Sequence, residues 1–72
     1  MQVNSQKLAQ RIKRLRVNGG KSLNIFCFEN DINKATQSLI ETGHNINPKL
    51  NVLIKIANGL ETSVSELLQG IY

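Results

Sequence analysis

The chain has 72 residues, 40% of them hydrophobic, with a formal net charge of +4 and a pI near 9.7; that is enough for one compact domain and too little for a second. One cysteine excludes an internal disulfide, and Cys27 with one distant histidine lacks the clustered spacing of a structural zinc site, so stability is expected from helix packing, with or without dimerisation. No run approaches the roughly 18 apolar residues of a membrane span, and no apolar signal region follows the N-terminal charges, which points to a cytoplasmic protein with Cys27 as a buried thiol.

Residues 4–18 read as a first helix: Asn4 or Ser5 can cap it, Leu8, Ile12 and Leu15 recur at helical spacing, and Gly19-Gly20 stops it. Its other face is basic. Lys7, Arg11, Lys13, Arg14, Arg16 and Lys21 all precede the first acidic residue, Glu29, a one-sided field that suits a polyanion and is equally compatible with a solvated helix face. An anionic membrane surface fits less well, because the segment lacks aromatic anchors.

Ser22 can cap a second, short helix through Glu29, which Asn30-Asp31 ends. The run Leu-Asn-Ile-Phe-Cys-Phe would also suit a strand, but no second strand-like run exists to pair with it. Asn33 caps a third helix to about Thr42, with Gly43 placed to close it in the left-handed conformation. Asn47-Pro48, a capping asparagine before a proline, signals the start of a fourth helix with Leu53, Ile56, Ala57 and Leu60 on one stripe. The Ser63 to Glu66 spacing is that of a capping box, and Val64, Leu67, Leu68 and Ile71 form the stripe of a fifth helix near Gly70. The expected architecture is all-α, five short helices in one bundle.

Two short helices joined by a tight turn form the layout of a helix-turn-helix. With Ile32, Thr36, Ser38, Ile40, Glu41 and Gly43 in place, the stretch from Ser22 to Gly43 resembles the phage repressor and Cro-like (XRE) helix-turn-helix family. Upstream, Ile12, Leu15 and Arg16 match its first-helix signature. Downstream, Pro48, Leu50, Leu53, Ile56-Ala57, Leu60, Ser63 and Leu67-Leu68 match its ending. The resemblance implies a lambda-repressor-like five-helix domain over 1–72, with a family-like core at 12–68, the motif at 22–43 and a recognition helix at 33–41.

On matching positions, the resemblance implies that Asn33, Lys34, Ala35, Ser38 and Leu39 face base edges, with Thr42 near the helix end. Lysine donates to guanine, asparagine pairs with adenine or caps the helix, and alanine or leucine touches a thymine methyl. Phosphate contacts are expected from Lys21, Ser22, Thr42, His44, Asn45 and Lys49, with Arg11 and Arg14 adding to the field. For His44 an ordinary exposed loop position is an equal alternative. Where the family has a helix-2 glutamine this chain has Leu23, and Asp31 replaces its turn glycine. Gln37 occupies a position the family keeps apolar, and Leu39 one it keeps polar. Pattern alone puts Lys34, Gln37, Ser38 and Glu41 outward and Ala35, Thr36, Leu39 and Ile40 inward, so the two arguments differ by about one residue's rotation and agree on Lys34 and Ser38. Glu41 is expected in a structural role, either accepting bonds near the loop after the third helix or pairing with a first-helix arginine such as Arg16.

Catalysis is not expected: Cys27 and His44 stand apart on different elements, and Gly19-Gly20-Lys21-Ser22 follows a helix where a phosphate-binding loop follows a strand. No cofactor or metal is implied. Phe26 and Phe28 read as core rather than base-stacking residues. The expected function is sequence-specific binding of double-stranded DNA by a transcriptional regulator, a repressor acting as a homodimer in the cytoplasm and nucleoid. Its dimer surface would lie in the fifth helix, Ile71 and Tyr72, with Val52 or Ile54. The alternatives are an antitoxin that binds DNA and a toxin, an interaction module that has lost DNA readout, and nonspecific binding through the basic first helix.

Overall fold

Asn4 opens the first helix, α1 (Ser5–Asn18), by accepting a bond from the Lys7 amide at 3.1 Å, which satisfies one of the amides that a helix start leaves without an internal partner. Leu8, Ala9 and Ile12 form its buried stripe, and Gly20, at φ 77°, turns the chain away beyond the helix end. A computed structural model describes residues 4–45 and 47–71, and every regular element among them is a helix.

Ser22 caps α2 (Leu23–Asn30), its hydroxyl accepting from the Ile25 amide at 3.2 Å. The strand-like composition of this segment yields to helix because Phe26 and Cys27 go into the core while Asp31 adopts the left-handed conformation (φ 54°, ψ 49°) and closes the helix onto the Cys27 carbonyl. Asn33 then caps α3 (Lys34–Glu41), accepting from both Ala35 and Thr36 amides at 2.9 and 3.2 Å. Gly43 is required at the end of α3 by its φ of 79°; the atoms that an added Cβ would meet are the far end of the exposed Gln6 side chain, which can move aside.

The fourth helix, α4 (Leu50–Gly59), begins later than the Asn47-Pro48 signal predicts, with Lys49 as N-cap and no side-chain capping bond. The Asn47 amide donates to the Asn45 side chain at 3.0 Å, so Asn47 belongs to a loop turn and not to the helix start. Ser63 caps α5 (Val64–Leu68), accepting from the Glu66 amide at 3.0 Å, but the Glu66 carboxylate takes the Thr62 hydroxyl and does not reach back to the cap.

The five helices enclose one core of Leu8, Ile12, Phe26, Ile40, Ile56, Leu67 and Ile71, each almost wholly shielded from water. Ile71 corrects the expected dimer surface. It lies in the core of its own chain, and its carbonyl accepts from the Asn4 amide at 2.9 Å, joining the two ends of the bundle. Val52 also packs against the core, whereas Ile54 is exposed, as is Leu50 one turn before it. Tyr72 lies outside the described residues. Arg11 donates to the Leu67 carbonyl at 3.1 Å and to that of Gln69, so it caps the C-terminal end of α5.

Candidate nucleic-acid interface

The third helix packs against α1 and α2 by a face that includes Gln37 and Ile40, at 0% and 1% exposure. Its opposite face presents Lys34, Ala35, Ser38 and Leu39 to solvent, with Leu39 51% exposed. The rotation inferred from pattern alone is therefore wrong at Gln37 and Glu41, which turn inward, and at Ala35 and Leu39, which turn outward; Thr36 lies at the boundary.

A polar cluster explains why a glutamine can be buried here. The Gln37 amide donates to Oε2 of Glu41 at 2.7 Å, and Arg16 holds the same carboxylate with two further bonds, Nε to Oε2 and Nη2 to Oε1, each 2.8 Å. Arg16 and Glu41 side chains are 9% and 7% exposed. The Glu41 bond raises the guanidinium pKa above its ordinary value, against the opposing effect of burial. The third donor, Nη1, reaches the Lys21 carbonyl at 2.8 Å. One side chain of α1 thus ties the α1–α2 connection to the last turn of α3. Among the described residues, Oε1 of Gln37 is a buried acceptor without a partner.

The flanking residues fall into two groups. Lys21 and Ser22 precede α2, with the Lys21 ammonium paired to Glu29 and the Ser22 hydroxyl engaged as a cap. Thr42, His44, Asn45 and Lys49 lie between α3 and α4. The Thr42 hydroxyl donates to the Ser38 carbonyl at 2.9 Å and stands 2.8 Å from Nδ1 of His44, which can donate to it in turn. Asn45 is half-buried and spends its side-chain oxygen on the loop, while Lys49 is exposed.

No family model and no curated protein matches the chain. Among solved structures, it is similar to an HTH_3 family transcriptional regulator from Vibrio cholerae, with 33% sequence identity and a TM-score of 0.80 over 92% of this chain. The fold is that of an HTH_3-type helix-turn-helix domain. It spans 36% of the length of that regulator. In this helix-turn-helix domain α2 and α3 are the paired helices, Asp31 to Asn33 is the turn, and α1, α4 and α5 form the scaffold that holds them.

The departures of the domain from the family pattern are absorbed locally. Leu23 packs against the core and Asp31 takes the left-handed turn position. Cys27 is the buried thiol expected, at 5% exposure. Burial is the first cause that pushes the Cys27 thiol up, aided by Glu41 and opposed by Arg16 and Lys34, so the sulfur stays protonated near neutral pH. Phe26 is core as expected, but Phe28 is not: it is 89% exposed, with Ile25 on the same helix 54% exposed. The signal was present in the helical period, since Phe28 lies about 200° around the helix from Phe26. Among the described residues no three His, Cys, Asp or Glu side chains cluster as metal ligands, and no helix is long and apolar enough to cross a membrane.

Proposed function

We propose that this domain binds double-stranded DNA sequence-specifically as a transcriptional repressor, with α3 in the major groove. The observation that carries this reading is the division of α3 into a locked inner face and an outer face of four unobstructed side chains, Lys34, Ala35, Ser38 and Leu39. A helix read by a major groove needs such a face, because base edges discriminate only against side chains held in fixed register. Asn33 stands at its leading end. Lys21, Ser22, Thr42, His44, Asn45 and Lys49 supply the phosphate contacts, with the Lys21 ammonium exchanging Glu29 for phosphate. The protein works as a homodimer, each subunit placing α3 in a groove about one helical turn from its twin. It acts in the cytoplasm, on the nucleoid, without a cofactor or catalytic activity.

Selection from a random duplex library at about 0.15 M salt tests this reading. The expected result is a motif with two-fold symmetry, bound ~10³-fold or more tightly over scrambled DNA. Lys34→Ala and Ser38→Ala should each relax selection at particular positions, at about 1–3 kcal/mol. Only weak, salt-sensitive binding to any duplex would overturn it. A second reading, an interaction module or an antitoxin that also engages a toxin, is favoured by Phe28 and Ile25, since a fully solvated phenylalanine beside an isoleucine is the kind of anchor a protein partner buries. It predicts a protein complex that survives Lys34→Ala and is lost in Phe28→Ser.

A further inference from the structure

The outer face of α3 divides lengthwise. At about 100° per residue, Lys34 and Ser38 follow one edge of an arc roughly 140° wide, Ala35 and Leu39 follow the other, and Thr42 falls between them. All five are exposed. The first edge carries an ammonium and a hydroxyl, and the Thr42 hydroxyl is turned back onto the Ser38 carbonyl. The second edge offers only carbon. Asn33, at the leading end, has its carbonyl oxygen bonded to two backbone amides, so its side chain retains donors but not the donor-and-acceptor pair that reads adenine. Within α3 the one amide side chain, Gln37, does not face outward, because it is buried against Glu41.

Resting on the DNA-reading function proposed above, we propose that Leu39, with Ala35, is the specificity determinant for a pyrimidine C5-methyl group, so that each operator half-site carries a thymine beneath this apolar edge. Lys34 takes guanine O6 and N7 on the polar edge. A leucine half exposed in the free domain has apolar surface to lose, and in a major groove the thymine methyl is the apolar group that covers it. The edge reads the methyl and not the hydrogen-bonding pattern of the base, so 5-methylcytosine is accepted at this position in preference to cytosine.

The test uses the operator obtained by selection. Each half-site thymine is replaced in turn by uracil, which removes only the methyl, then by 5-methylcytosine and by cytosine, and affinities are measured by fluorescence anisotropy. At one or two positions uracil is expected to weaken binding about fourfold per half-site, the scale of one buried methyl group, with the order thymine, 5-methylcytosine, cytosine. In Leu39→Ala, whose folding is checked by thermal melting, the uracil effect should shrink below twofold. Methyl reading is overturned if no thymine responds to loss of its methyl, or if the response persists undiminished in Leu39→Ala; either leaves the DNA-reading function standing. Failure to select any sequence overturns that function and this inference together.

Discussion

A guanidinium and a carboxylate that are both more than nine-tenths shielded have given up most of their hydration, so removal of either leaves the other a buried charge with too few partners. Glu41→Ala and Arg16→Ala are each expected to cost about 3–5 kcal/mol in urea unfolding. The double variant Arg16→Ala with Glu41→Ala should cost less than the two single losses added together, since no uncompensated charge remains; simple additivity would show that the pair is not coupled. The pairing was one of two structural roles that the resemblance left open to Glu41, an acidic residue on a DNA-facing helix, whereas pattern alone put Glu41 outward. The burial of Gln37 was not legible from pattern, because hydrophobic periodicity sends every polar residue outward. What reverses it is a bond to Glu41, a partner in the next turn whose own orientation depends on Arg16, 25 residues earlier in the chain and invisible to a local window.

At the level of elements, the start and stop of a helix depend on one or two residues each, and where those residues are distinctive the sequence reads correctly. Asn4, Ser22, Asn33 and Ser63 cap as their positions lead one to expect, and Gly43 closes α3. The start of α4 was misread because asparagine serves turns as readily as caps, and Asn45 captures the Asn47 amide. The cap on α3 matters beyond stability. Asn33→Ala removes the acceptor for two amides in the turn that carries Lys34 and Ala35, at about 1 kcal/mol, or a fall in Tm of roughly 4–8 °C for a domain of this size. Fraying there would also disorder two of the residues proposed to face the bases, so operator affinity should fall further than an equal destabilisation introduced at Ser63→Ala, the cap of the distant α5. Equal affinity losses in variants matched for stability would show that the cap only holds the fold.

For the molecule as a whole, the apolar surface left over after folding decides how two copies can meet. With Ile71 inside the core and Val52 packed against it, the C-terminal half leaves Leu50 and Ile54 exposed, at 64% and 44%, one helical turn apart on α4. The proposed dimer, if it buries this stripe, keeps α3 of each subunit free for the groove. Leu50→Glu, at a site with no core contact to lose, should leave the monomer as stable as before while sedimentation shows the assembly dissociated. Its binding should then separate into two parts: affinity for an isolated half-site unchanged, and affinity for the complete operator reduced by on the order of 10²-fold, because the second half-site is no longer engaged at the high effective concentration that a linked partner provides. A Leu50→Glu protein that remains dimeric would move the subunit contact away from α4, and one that binds half-site and operator alike without any loss would show that each domain reads DNA alone.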